Sequence, residues 1–300
     1  MSESWKLSAF APKSVIQQAL LAHDEIEDWD PEVVISGREI AEDRPQEWVM
    51  EAWYSAKPGK QQKAAVAALF DAVAPIFKIE KLPDEDWLTL SQQGVDPIRA
   101  GRFHVHTPEH PPARDAVNFS IPASQAFGTG QHETTAACLA MLDAMKQRGT
   151  LARNIADIGT GTGLLAFAAM RLWPHALVTA SDIDEVCAEV VSSNAALNNV
   201  PEGARQGELT MVIADGMQDD LLQARGPYDL LIANILAGPL VELAPDFSEA
   251  TTPGGNLLLA GLLETQEPRV RRAYRQNGFR LAARMVNGDW SILWLRKRRK

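Results

Sequence analysis

Hydrophobic positions follow two regimes along the chain. Up to about residue 80, strand-length apolar runs alternate with helical stripes. WKLSAF reads as a strand, Val15, Ile16, Ala19 and Leu20 recur at helical spacing, and EVVISGREI and EWVMEAWYS read as two more strands. Val66, Leu69, Phe70 and Val73 then form a second helical stripe, and IFKIEKL a last strand. The order βαββαβ predicts a small ferredoxin-like α+β sandwich over residues 1–83. Its polar residues are scattered and form no catalytic pattern, so recognition of a partner is its expected work. Over 84–115 the periodicity fades and prolines accumulate (TPEHPPARD), which predicts a linker with one short helix around Trp87.

From 116 to 300 the second regime begins. NIADI, ALVTAS, LTMVIA, YDLLIAN and GNLLLAGL are apolar runs of strand length separated by helical segments. Strands that are apolar on both sides belong to a parallel sheet covered by helices on both faces. FRLAARMVNGDWSILWLRK differs, with two strand-like runs meeting at Asn287-Gly288, a strong hairpin signal. The expected fold is therefore α/β and Rossmann-like, a doubly wound, mostly parallel sheet ending in an antiparallel hairpin.

Composition narrows this little and charge somewhat more. At 300 residues and 46% hydrophobic content the chain can form one large and one smaller globular domain. No window approaches eighteen uninterrupted apolar residues and MSESWKLSAF lacks a signal-peptide pattern, so a cytoplasmic protein without membrane attachment is expected. Cys138 and Cys187 lie in helical stretches without a CxxC partner and read as small buried side chains. The net charge is -10, with 20 acidic against 12 basic residues over 1–115. That balance argues against autonomous nucleic-acid binding and suits a basic partner; the RKRRK tail reads as a solvated terminus. His104, His106 and His110 have neither Cys nor paired carboxylates at ligand spacing, so no metal site is expected there.

Chemistry concentrates in two glycine-rich runs, AFGTGQHETT at 126–135 and ADIGTGTG at 156–163. In the second, a strand ends at Asp157 and Gly159, Gly161 and Gly163 lead into a helix, whose free N–H groups favour an anionic group. The spacing is GxGxG, whereas a nicotinamide-binding turn asks for GxGxxG. Asp182, at the tip of the next strand, suits the two hydroxyls of a ribose in either case. Asp157 separates the readings, because a carboxylate there repels a pyrophosphate and attracts the ammonium of a methionine moiety. S-adenosyl-L-methionine fits this set better than NAD. Asp215, ending the third strand, is a weaker candidate for an adenine contact. The first run, with Thr135 at the start of a helix, is placed to act as a lid over the crevice.

AFGTGQHETTAACLAML, ADIGTGTGLLAFAA, SDID and DLLIANILAGPLVELAP together resemble the ribosomal protein L11 methyltransferase family (PrmA type), over about Phe119 to Ala260. The resemblance implies a class I S-adenosyl-L-methionine-dependent methyltransferase fold. It also implies cofactor contacts from Thr135, Gly159, Asp182 and Asn234. This chain departs from the family pattern at Gln131-His132-Glu133, where TH-P-TT is more common, and at Thr160, where Cys is frequent. Cofactor-binding candidates are thus Thr135, Asp157, Gly159, Gly161, Asp182 and Asn234, with Asn234 also the catalytic candidate and His132 a lesser one for proton relay. The resemblance implies methyl transfer to the N-terminal amine and lysines of ribosomal protein L11, and through that protein a link to the ribosome. Another protein lysine or a small amine as acceptor, a nicotinamide oxidoreductase and a non-catalytic scaffold remain the alternatives.

Overall fold

A computed structural model describes residues 5–24, 26, 29–30, 33–40, 44, 46–54, 56–70, 75–81, 97–122 and 131–299, with the backbone alone at 24 and 131–133. Two compact units are present, one within Met1–Leu90 and the other within Ser91–Phe127 and Gln131–Lys300.

The first unit runs β1 (Trp5–Pro12), α1 (Lys13–Asp24), β2 (Val34–Glu39), β3 (Glu47–Tyr54), α2 (Lys60–Ala68) and β4 (Phe77–Lys81). Its sheet is antiparallel in the order β2-β3-β1-β4. Ile16 and Ala19 of α1 and Val66 of α2 bury against Leu7, Ala9, Met50 and Ala52, the alternating inward positions of β1 and β3. Val15, expected on the same stripe, is exposed at its edge. Glu51 on β3 is buried and is held by Lys6 at 2.9 Å and Arg38 at 3.2 Å. Val73 and Trp87 lie outside the described residues.

Residues 84–115 are not a linker throughout. Within them β5 (Ile98–Ala100) and β6 (Phe103–His106) form a three-stranded sheet with β7 (Val117–Ser120), in the order β5-β6-β7. Strands of three and four residues are too short for their alternation to stand out from the surrounding prolines. Their inward positions Ile98, Ala100, Phe103 and Val105 are nevertheless buried, and the Phe103 and Phe119 rings stack at 6.0 Å. His104 is bonded to Asn118 Oδ1 and His110 to Thr107 Oγ1, each at 3.0 Å, and no metal-ligand cluster exists among the described residues.

The main sheet follows α3 (Gln131–Gln147) and is built from β8 (Asn154–Ile158), α4 (Leu164–Leu172), β9 (Leu177–Asp182), α5 (Val186–Leu197) and β10 (Leu209–Ile213). It continues through α6 (Asp220–Arg225), β11 (Tyr228–Asn234), α7 (Ala237–Glu242), α8 (Ala244–Glu249) and β12 (Thr251–Leu263) to α9 (Glu267–Gln276), β13 (Phe279–Asn287) and β14 (Trp290–Lys297). The strand order is β10-β9-β8-β11-β12-β14-β13, parallel through β12 and antiparallel at the final hairpin. Alternation along the strands divides the core in two. Ile155, Leu230, Ile232, Leu258 and Ile292 join α3, α4 and α5 in one cluster. Ala156, Leu231, Ala233, Leu257 and Leu293 join α6 to α9 in the other. The hairpin turn falls one residue later than Asn287-Gly288 suggested: Asn287 pairs with Trp290, and Gly288 (φ 57°) and Asp289 form the two-residue loop. Positive φ on the first central residue alone is the II′ pattern, which matches strand twist as well as Asn-Gly does. Among the described residues, no helix is long and apolar enough to cross a membrane.

Candidate functional site

In an open parallel sheet, the crevice forms at the carboxyl edge where the strand order reverses, here between β8 and β11. Three of the residues singled out above end strands at this edge: Asp157 near the end of β8, Asp182 closing β9 and Asn234 closing β11. Register ties them together, since Ile158 lies opposite Ser181 and also opposite Ala233.

Asp157 is 1% exposed and has two roles divided between its oxygens. Oδ2 accepts from Thr160 Oγ1 at 2.7 Å and from the Ala166 N–H at 3.1 Å, so it closes the glycine turn and caps the first turn of α4. Oδ1 is buried with no hydrogen-bond partner. Burial pushes this carboxyl up to about 7, with a smaller push from Asp182, while the bonds from Thr160 and Ala166 pull it down. An unmet buried carboxylate oxygen calls for a cationic donor, and an ammonium group answers it. The donor set therefore fits the methionyl end of S-adenosyl-L-methionine.

The glycine turn connects Asp157 to Asp182. Gly159 and Thr160 donate their N–H groups to Ser181 O at 2.8 and 2.9 Å, and Gly161 donates to Asp182 Oδ2 at 2.8 Å. The other oxygen of Asp182 accepts from Asp184 N at 3.2 Å. Each carboxylate oxygen has two lone-pair positions, so this half-buried group retains acceptor capacity for a hydroxyl pair. Cys187 is close enough that burial first, and then Asp182, push its thiol up to about 12. Asp215 is exposed just beyond β10, whose last residue, Ile213, lies opposite Asp182. Pattern reading overlooked the large apolar side chains at this edge. Ile183 is 67% exposed and Leu236 53% exposed, next to Asp182 and Ile235 respectively. The signal was present in SDID, where an apolar residue is flanked by carboxylates and has no core to enter.

Asn234 leads into a backbone clamp. A Cβ on Gly159 (φ 70°) would stand 2.2 Å from Ile235 Cγ2, and one on Gly261 (φ 82°) would stand 2.3 Å from Ile235 O. Only glycine lets the turn after β8 and the irregular stretch of β12 close on Ile235 from two sides. Asn234 is half-buried, and its side chain makes no hydrogen bond among the described residues.

Thr135 is half-buried in α3. It is the fifth residue of a helix that begins at Gln131, not an N-cap as its threonine character suggested. The helix starts earlier because Gln, His and Glu all tolerate its first turn. Cys138, less than one turn further on, is fully buried, and burial and then the Asp157 charge push its thiol up. This part of α3 therefore lies within electrostatic reach of the crevice. Residues 126–130 lie outside the described residues, as do the side chains of His132 and Glu133.

Where a dinucleotide would bring a pyrophosphate, this crevice holds a buried carboxyl group with one oxygen lacking a partner, and the fold with that donor set makes the protein a class I S-adenosyl-L-methionine-dependent methyltransferase. The ribosomal protein L11 methyltransferase (PrmA) family matches residues 12–298. The chain is 37% identical over 277 residues to a ribosomal protein L11 methyltransferase of Agrobacterium fabrum, covering 89% of this chain and 90% of that one. It is 41% identical over 245 residues to that of Sinorhizobium fredii, covering 78% and 79% respectively. Among solved structures, the ribosomal protein L11 methylase of Lactobacillus delbrueckii subsp. bulgaricus aligns with a TM-score of 0.54 at 27% identity, covering 68% of this chain and all of the other. The chain belongs to the ribosomal protein L11 methyltransferase family, and S-adenosyl-L-methionine is its methyl donor.

Proposed function

We propose that this enzyme methylates the N-terminal amine and lysine side chains of ribosomal protein L11 in the cytoplasm, with the first unit recognising that protein. The observation that carries the reading is Asn234, a half-buried amide at the crevice edge with no hydrogen-bond partner among the described residues. In the proposed site, Asp157 Oδ1 holds the cofactor's ammonium group, the turn at Gly159 and Gly161 presents backbone to its methionyl portion, Asp182 accepts from the ribose hydroxyls, and Ile183 covers one face of the adenine. Thr135 contributes from α3. When bound, the cofactor supplies a methyl carbon on a sulfonium, which an acceptor nitrogen displaces as the carbon–sulfur bond breaks and the carbon–nitrogen bond forms.

The acceptor must present a lone pair. An N-terminal amine, with a pKa of about 7.7 to 8.0, is already substantially neutral near neutral pH. A lysine needs its pKa lowered by about three units, about 4 kcal/mol, which desolvation beside a sulfonium supplies. No dedicated base is required. Asn234 Oδ1 accepts an N–H bond from the neutral amine and directs its lone pair, so catalysis is chiefly proximity and orientation. The proton leaves from the product ammonium to solvent. Residues 1–115, with 20 acidic against 12 basic side chains, give a basic substrate a favourable field to approach.

Intact mass of ribosomal protein L11 after incubation with enzyme and cofactor tests the proposal; added methyl-group steps are expected, and an unchanged mass overturns it. A thermal shift tests the site separately. S-adenosyl-L-methionine at about 100 times its Kd is expected to stabilise the protein by about 2.7 kcal/mol while NAD leaves it unchanged. Stabilisation by NAD alone would contradict the roles given to Asp157 and Asp182.

Positioning of Asn234 by the clamp yields a further expectation. Gly261→Ala cannot be relieved by a rotamer change, because the clash is with the Ile235 backbone, and kcat is expected to fall about tenfold or more with KM little changed. Gly149→Ala is the control, since Gly149 also has positive φ (79°) but nothing within 4 Å of its added Cβ. Equal losses in kcat for both variants would show that backbone strain alone, not displacement of Ile235, is responsible.

A further inference from the structure

The last forty residues contain eleven of the chain's 29 basic residues and three of its 39 acidic ones, so a segment of net +8 follows 260 residues of net -18. The fold gathers this excess. Arg271, Arg272 and Arg275 of α9, Arg280 of β13 and Arg298 beyond β14 wall a depression of about 480 Å³, whose lining includes Tyr274 and Phe279. Arg280 and Arg298 also line a second depression together with Arg296 and Arg299. Those last two line a third, with Arg148 and Trp294, whose ring lies 5.7 Å from the Arg148 guanidinium. Shared walls make the three depressions one track.

Most of these guanidinium groups have nothing to neutralise them. Arg271 is paired with Glu267 at 3.0 Å and Arg296 donates to Gly254 O at 3.1 Å. Arg272, Arg275, Arg280 and Arg298 are exposed and have no side-chain partner among the described residues. The one carboxylate in the lining, Asp229, sits in the third depression and accepts from Arg153 N and Asn154 N. Like charges held this close repel one another until an anion lies among them. A track of several depressions suits a chain of regularly spaced anions better than a single ion, and guanidinium forks match phosphate oxygens in bidentate geometry. A bilayer surface would need a continuous apolar face as well, and the lining offers only two large apolar residues with substantial exposure, Leu281 at 38% in the first two depressions and Leu151 at 75% in the third.

From these observations we propose that the track binds a nucleic-acid strand through its phosphodiester backbone. It is separate from the cofactor crevice. Arg296 lies opposite Asn256, on the amino side of Ala260, which lies opposite Asn234, so the track runs along the amino edge of the sheet and the crevice along the carboxyl edge. Net charge concealed it, because the acidic majority outweighs a basic segment that folding draws together.

Fluorescence anisotropy of the full-length protein with a labelled RNA of about 20 nucleotides, and with DNA of the same sequence, tests this directly. Affinity is expected to fall with salt at a log–log slope of about -0.7 for each phosphate engaged on a single strand. The combined variant R272E/R275E/R280E/R298E is expected to bind at least about tenfold more weakly with a flatter slope, and the corresponding glutamine variant to lie between. The glutamine variant also serves if charge reversal prevents folding. A preference between RNA and DNA identifies the natural source. No binding of either nucleic acid, unchanged affinity in the glutamine variant, or competition by polyglutamate as strong as by unlabelled RNA would overturn the proposal, as would binding only to phosphatidylserine vesicles. The assay contains neither methyl donor nor acceptor protein, so its outcome is independent of the substrate proposed above.

Discussion

Asn234→Ala is expected to lower kcat by about 10²- to 10³-fold while weakening S-adenosyl-L-methionine binding by less than about tenfold. Removing the amide leaves the strand tip intact, because Ile235 stays held between Gly159 and Gly261. What is lost is the acceptor that aims the incoming nitrogen. Asn234→Asp separates orientation from charge. A carboxylate accepts the same N–H bond but favours the ammonium form of the substrate, so its pH–rate profile is expected to shift toward higher pH. Rapid-quench measurement of the methyl-transfer step, with calorimetry for the cofactor, gives both quantities. Equal losses in kcat and cofactor affinity for Asn234→Ala would assign the residue to cofactor binding alone.

Asp157→Asn is expected to act in opposite directions on the free and cofactor-bound protein. The native carboxyl, pushed up to about 7 from 3.8, holds its proton more tightly than the unfolded chain does. Stability from this group is therefore fully present below about pH 3.8 and is lost as pH rises through about 7, about 4 kcal/mol in all. Asparagine can still accept from Thr160 and Ala166 but carries no charge, so the cofactor-free variant is expected to melt higher near neutral pH. Each kcal/mol regained corresponds to about 2–4 °C for a domain of this size. Affinity for S-adenosyl-L-methionine is expected to fall about 100-fold at pH 8, since an ammonium group loses its buried counter-charge. Wild-type affinity should rise as pH approaches 7 and then level off, whereas the variant's should be flat over that window. Scanning calorimetry without cofactor and titration calorimetry at several pH values decide the matter. A lower melting temperature with unchanged affinity would make Asp157 only a cap for α4.

The main sheet was legible because its strands are apolar on both faces, and the five runs from NIADI to GNLLLAGL coincide with β8 to β12. The reading did less well wherever a local signal competed with a distant one. Prolines concealed β5 and β6, whose stability comes from Phe119 and from the core shared with α3 and α4. Thr135 carries cap chemistry but lies in the body of α3. In the site, Asp157, Asp182 and Asn234 were readable as residues that end strands, and the fold gathers all three at one edge. The division of labour between the two oxygens of Asp157 was not readable, because it depends on Thr160 and Ala166 closing onto the same atom. Nor was the clamp, which joins Gly159, Ile235 and Gly261 across long stretches of chain.

The arginine track also gives the methyltransferase domain an electrical direction. At the carboxyl edge, the segments leaving β9 and β10 carry Asp182, Asp184, Glu185, Asp215, Asp219 and Asp220, while the amino edge carries the unpaired guanidinium groups. Glu208, Asp229 and Glu249 also lie at the amino edge, so the contrast is sharpest between the tips of β9 and β10 and the arginine track itself. Charges of opposite sign so separated make a dipole on which an external field exerts a torque. Near a polyanion the domain would turn before any contact forms, its arginine edge inward and its crevice facing away, where a basic polypeptide can reach it.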